Sequence, residues 1–177
     1  MFETLISKLQ EDKYLTLETT PQHEPSMHNI VEKIKKFKID TKVDGFTCTD
    51  NPLAKLKYNS LFAALKLQQE FKKPVIATMT MRDRNKIALQ SDLLGANDFD
   101  IRAILALTGD PANMSDQPNS KGVFEANSLM LLKMIKSFNY GMDFAGRPFK
   151  IEPKQIFPFA VVNAYAKNFG SLEKKMH

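Results

Sequence analysis

The feature that most constrains this chain is a rhythm. A short β-prone run is followed by a turn and then by a stretch whose apolar residues recur at helical spacing. Residues 14–20 (YLTLETT) read as a strand that Pro21 ends, and residues 27–37 as a helix with Ile30, Val31, Ile34 and Phe37 in step. Residues 43–49 (VDGFTCT) give a second strand, closed by Asp50-Asn51-Pro52. The helix over 53–71 then carries Leu61, Ala64, Leu65 and Gln68 along one side. Residues 75–81 (VIATMTM) form a third strand, residues 84–96 a helix ending near Gly95, and residues 103–107 (AILAL) a fourth strand running into Thr108-Gly109-Asp110-Pro111. A polar connection over 112–122 leads to a helix at 126–138, a fifth strand at 157–163 (FPFAVVN) and the start of another helix at 171–175.

Strands separated by single helices specify a parallel sheet with right-handed crossovers. Two architectures meet that requirement, a closed barrel and a doubly wound sheet. Both place chemistry at the C-terminal ends of the strands. Those ends carry Glu18, Thr49, Thr78 with Thr80, and Asp110. The absence of a GxGxxG or Walker phosphate loop favours the barrel. A closed barrel needs eight βα units and about 200–250 residues, and this chain has five strands in 177 residues. The expected fold is therefore α/β, of the (β/α)8 TIM-barrel type, present as an incomplete barrel of about five βα units. Residues 1–177 would be the N-terminal portion of a single domain.

Composition narrows the function. One cysteine, Cys48, excludes an internal disulfide framework and a cysteine zinc cage, and three histidines (His23, His28, His177) leave little for a metal site. No metal is expected, and Cys48 reads as a small buried hydrophobe. No apolar run approaches the roughly 18–20 residues of a membrane span, and the first ten residues lack a basic then apolar leader. A cytoplasmic location and no membrane partner are expected. Lys and Arg number 25 against 20 Asp and Glu, a net charge of +5. Most of that surplus is lysine spread over helix faces, such as Lys33, Lys35, Lys36 and Lys38, and the only compact basic group is Arg82, Arg84 and Lys86. With no finger spacing or basic-aromatic interleaving, nucleic acid is not an expected partner.

Five segments carry a resemblance. They are Leu17-Glu18-Thr19-Thr20-Pro21, Thr49-Asp50-Asn51-Pro52-Leu53-Ala54, Arg82-Asp83-Arg84-Asn85 leading to Leu89-Gln90-Ser91-Asp92-Leu93-Leu94-Gly95-Ala96, Ile104 through Pro111, and Gly122-Val123-Phe124. In this order and spacing the chain resembles the methylenetetrahydrofolate reductase family, flavin enzymes that make 5-methyltetrahydrofolate. The resemblance implies a (β/α)8 barrel with FAD at the strand C-termini, a folate substrate, and a nicotinamide dinucleotide or a redox partner protein as electron donor. It covers about the first five units, so the chain is expected to be an N-terminal piece of that barrel. A half-barrel with two open sheet edges and a bare apolar inner face is expected to self-associate.

Site roles follow from the same resemblance. Glu18 would be the general acid that protonates the folate N10, opening the five-membered ring to an iminium ion that takes hydride. A carboxyl in a low-dielectric place favours its protonated form, which is the form a general acid needs. A strand-end carboxylate paired with a lysine is the plainer reading. Asp110 would lie beside the flavin pyrimidine ring and hydrogen-bond the pterin; the plainer reading is a turn former before Pro111. Thr49, Thr78, Thr108 and Gly109 would line the flavin, Gly109 by letting the backbone approach closely. Many relatives have histidine where this chain has Thr78, which hydrogen-bonds but carries no charge, and some have arginine where it has Thr108. Phe124, Ala160, Val162 and Lys175 would meet the ribityl, adenine and phosphate groups; Lys175 reads equally as an exposed helix lysine. The competing function is a truncated, catalytically inactive half-barrel that serves only as a binding or assembly module.

Overall fold

The computed structural model describes residues 2–11 and 13–162. Five strands, β1 (Thr16–Thr19), β2 (Gly45–Cys48), β3 (Val75–Thr80), β4 (Ala103–Leu107) and β5 (Phe157–Ala160), form one sheet. All neighbours are parallel and the spatial order is β1-β2-β3-β4-β5. A doubly wound sheet reverses its progression at a switch point. This one does not reverse, which makes it a TIM-barrel-like wall.

Helix α1 (Phe2–Gln10) precedes the sheet, α2 (His28–Lys36), α3 (Ser60–Phe71), α4 (Lys86–Asp98) and α5 (Ser128–Asn139) are the crossovers, and a 3-10 turn at Pro52–Ala54 follows β2. Alternate strand residues face the crossover helices. Phe46, Cys48, Val75, Ala77, Met79, Ile104 and Ala106 are buried there in one cluster with Val31, Ile34, Leu67, Leu89, Leu93, Leu131 and Ile135. The period of two puts the intervening residues on the opposite face, the inside of the barrel wall. Cys48 is fully buried, as its place in the strand predicts.

The sequence reading missed α1. This helix changes the account of the inner face, which is not bare. Phe2 and Leu5 pack with Ile76 and Ala103 near the N-terminal ends of their strands. The Phe2 ring stacks on Phe157 at 5.9 Å, and the Arg102 guanidinium sits 4.5 Å from the Phe2 ring centre. The apolar floor expected to drive self-association is thus covered in part by the chain itself.

Three boundaries also differ. The helix expected from residue 53 begins at Ser60, because Leu53 and Ala54 are left-handed (φ 55° and 56°) and cannot propagate a helix. Asn59 caps the true start by accepting from the amides of Leu61 and Phe62. Helix α4 runs through Gly95 to Asp98 and stops only where Asp100 turns left-handed. Phe37, expected on the apolar side of α2, lies past its end and is exposed. Residue 163 of the expected fifth strand and the helix at 171–175 lie outside the described residues. Among the described residues, no helix is long and apolar enough to cross a membrane.

Candidate active site at the strand ends

Glu18 is the third residue of β1, in register with Thr47 of β2. On either side of it, Leu17 packs against the helix-side core, and the Thr19 hydroxyl lies 3.4 Å from the Cys48 sulfur on that same side. Alternation therefore turns Glu18 to the inner face, where it is exposed. Among the described residues, no ion pair or hydrogen bond engages its carboxyl. The carboxylate is accessible, so the cost of burying it unpaired does not arise. The register row continues through Ile76 and Ala103 to Phe157, so Glu18 stands just above the apolar floor laid by α1.

Asp110 lies past the C-terminal end of β4. Its Oδ2 accepts from the backbone amide of Leu53 at 2.6 Å, reaching past β3 to the turn that follows β2. Gly109 makes the approach possible. Its φ is +96°, and a Cβ there would stand 3.0 Å from the Arg82 Cβ and 3.2 Å from the Thr80 Cβ. The glycine is required by chain packing whatever else passes near it. Thr108 has a local task too, since its hydroxyl accepts from the amide of Ser128 at the start of α5.

Thr78 and Thr80 are nearly buried on the inner side of β3, and the Thr49 hydroxyl oxygen is buried without a hydrogen-bond partner among the described residues. Phe124 is held beside the end of β3, because the amide of Val123 donates to the Arg82 carbonyl at 2.6 Å. Ala160 and Val162 are exposed at the C-terminal end of β5, but Ala160 is in register with Ala106 of the helix-side cluster, so alternation turns it away from the inner face where it was expected to meet the cofactor. Lys175 lies outside the described residues.

No site role was expected of the Arg82-Asp83-Arg84 segment. The structure makes it the frame of the site. Arg84 donates to Asp50 Oδ2 at 2.6 Å and to Asp92 Oδ2 at 2.8 Å. Asp50 also accepts from the amide and hydroxyl of Thr80 at 2.9 and 2.8 Å, so the ends of β2 and β3 are locked together. Arg82, only 2% exposed, forks onto Asp83 with Nε–Oδ1 at 2.8 Å and Nη2–Oδ2 at 2.6 Å. Those hydrogen bonds hold the Asp83 carboxyl below the ordinary carboxylate range, against the opposing effect of burial. The signal available in the sequence was alternating Arg and Asp directly after a strand, where paired charges can be buried together.

These residues could hold a ligand that presents polar edges. The Thr49 hydroxyl is buried without a partner among the described residues, Thr78 is buried on the inner side of β3, the Glu18 carboxyl is exposed, and that of Asp110 is fixed by Leu53. Such groups match a flat heterocycle with polar edges on an apolar body. The family model described as methylenetetrahydrofolate reductase matches residues 3–154 of the chain. No curated protein matches it.

Proposed function

The chain belongs to the methylenetetrahydrofolate reductase family, and on that premise we propose that it reduces 5,10-methylenetetrahydrofolate to 5-methyltetrahydrofolate with FAD. Membership supports the coarser statement directly: this is a folate-related reductase with a TIM-barrel-like fold. The reading in full rests on one observation. Glu18 stands on the inner face near the C-terminal end of β1 with its carboxyl free among the described residues, and Asp110, past the C-terminal end of β4, is fixed by the Leu53 amide.

FAD, when bound, supplies the hydride; the protein's residues do the rest. Glu18 faces the inside of the wall with its carboxyl free, placed to hand a proton to the folate N10. The bond from the bridging carbon to N10 breaks, N10 keeps the proton, and the N5 iminium that remains accepts hydride at carbon to become the methyl group. Asp110 is fixed by Leu53 and accepts a hydrogen bond from the pterin, which orients the bridging carbon. Thr49 and Thr78 offer hydroxyls toward the polar edge of the isoalloxazine, and Phe124 offers apolar surface to the rest of the cofactor. A nicotinamide dinucleotide or a redox protein supplies electrons. Edge strands β1 and β5 give a second copy a place to pair.

The test is spectroscopic and kinetic. The purified chain should carry a yellow flavin chromophore and oxidise a nicotinamide with menadione. Glu18→Gln should lower folate turnover by about 100-fold or more, the range of a lost general acid, with a far smaller effect on nicotinamide oxidation. A colourless chain without turnover would refute the reductase reading in favour of an assembly module. Equal loss of both half-reactions would assign Glu18 to the fold.

A further inference from the structure

Strand β3 loses its partner on one side before it ends. Its ladder with β4 runs through Thr80 and Leu107, whereas its ladder with β2 stops at Cys48 and Ala77. Past that point the chain of β2 turns toward β1, and the Thr49 amide donates to the Thr19 carbonyl. Residues 78–80 are left with backbone polar groups that face no strand on the β2 side. Buried backbone groups seldom go without partners.

Side chains take the place of the missing ladder. The Thr80 amide donates to Asp50 Oδ2 at 2.9 Å, and the Thr78 carbonyl accepts from the Ser60 hydroxyl at 2.8 Å. Ser60 is the first residue of α3 and is fully buried. A serine at the start of a helix ordinarily caps it. Here that task belongs to Asn59, whose side chain takes the amides of Leu61 and Phe62. The Ser60 hydroxyl is therefore not needed by its own helix. It reaches from the outer layer into the sheet and is committed to one carbonyl of β3.

The place of the fork gives that bond its meaning. Thr49 and Thr78 are the residues directly after the last pair of the β2–β3 ladder, and both belong to the inner row of their strands. We propose that Ser60 is a positioning residue for Thr78: by holding the Thr78 carbonyl from behind the sheet, it fixes the backbone from which the Thr78 hydroxyl meets a ligand beside Thr49. The proposal deepens the reductase reading, which gives Thr78 its task; the bond between Ser60 and Thr78 does not rest on it. Ser60 itself is buried and on the helix side, so it touches no ligand and acts through Thr78.

The full chain carrying Ser60→Ala tests it against Leu67→Ala, a change at a fully buried position of the same helix that packs in the helix-side core. Both should lower Tm, and Leu67→Ala by more, because it leaves a cavity. FAD titrated into the flavin-free proteins separates them. Ser60→Ala should raise the FAD Kd by about 10-fold, the size of one hydrogen bond, and shift the absorption band of the bound flavin. Leu67→Ala should leave Kd and band unchanged at a temperature where it is folded, and Ser60→Thr, which keeps the hydroxyl, should restore both. A Ser60→Ala protein that loses Tm yet binds FAD as wild type does would overturn the proposal, as would an equal loss of affinity in Leu67→Ala. If Ser60→Ala does not fold, Ser60→Cys replaces it, since a thiol is a weaker donor. A wild-type chain that binds no FAD would refute the flavin reading instead, and amide exchange then decides on Ser60. Exchange at the Thr80 amide should be about 10-fold faster in Ser60→Ala while the amides of β4 keep their protection; an unchanged Thr80 rate would overturn the hold of Ser60 on the strand end.

Discussion

Arg84 Nη1 lies 2.6 Å from Asp50 Oδ2, and this buried pair joins two loops that sequence keeps 34 residues apart. The Asp50 side chain is 1% exposed and that of Arg84 11%. Asp50 serves Thr80 as well, so its removal strands a buried guanidinium, an amide and a hydroxyl together. Breaking a buried pair from one side costs about 3–5 kcal/mol. Asp50→Ala should therefore lower the unfolding free energy by about that amount, visible as a large fall in the denaturant midpoint. A loss below about 1 kcal/mol would mean that the pair behaves like a surface contact.

Leu5 is the residue through which α1 seals the floor of the inner face. It is fully buried, beside Phe2, Ile76 and Ala103. Leu5→Ala should cost about 2–5 kcal/mol, the range for a buried leucine whose surroundings do not collapse. The variant should also bind more of a hydrophobic dye, because the floor it exposes is apolar. Unchanged stability would mean that α1 is an appendage to the sheet.

Asp83 gives the protein an acid-sensitive joint. Its folded carboxyl is held below the ordinary range of about 4 by the hydrogen bonds from Arg82, then by their charge attraction. A depressed carboxyl contributes stability above its unfolded value, and that contribution is lost as the pH falls through the lower folded value. Tm measured between about pH 6 and pH 2 should fall less steeply for Asp83→Asn than for wild type, from a lower starting point at neutral pH. Parallel curves would remove Asp83 from the acid response. Its side chain is 38% exposed, so solvent screening keeps the effect modest.

Cys48 reports on folding. Burial pushes its thiol up to about 12, partly offset by the Thr19 hydroxyl. The reactive form is the thiolate, so a thiol reagent at mildly alkaline pH should leave the native chain unmodified and label it fully in denaturant. Rapid labelling of the native protein would show that β2 opens readily.

The strands were legible in the sequence because their chemistry is local. Val75, Ala77 and Met79 alternate with Ile76, Thr78 and Thr80, and a period of two has one structural meaning wherever one face is buried. Glu18 and Asp110 could be placed at strand ends for the same reason. Helix α1 was not legible. Nine residues are too few for a helix to hold itself in water, and α1 exists because Phe2 and Leu5 have a floor to cover. The start of α3 was misread for a related cause: nothing in Leu53 predicts a left-handed backbone, and Leu53 takes it in a turn whose amide meets a carboxylate 57 residues away.

By itself, then, the order of residues determined a parallel α/β wall and the acidic and hydroxyl groups along its C-terminal rim, since both are written in spacings of a few residues. Only tertiary structure decided which of those groups are free and which are already engaged. Glu18 stays open while Thr108 accepts from the first amide of a helix, and Arg82 is forked onto Asp83. Hydrogen bonds saturate, and which donor reaches which acceptor first depends on distances between segments that never meet along the chain.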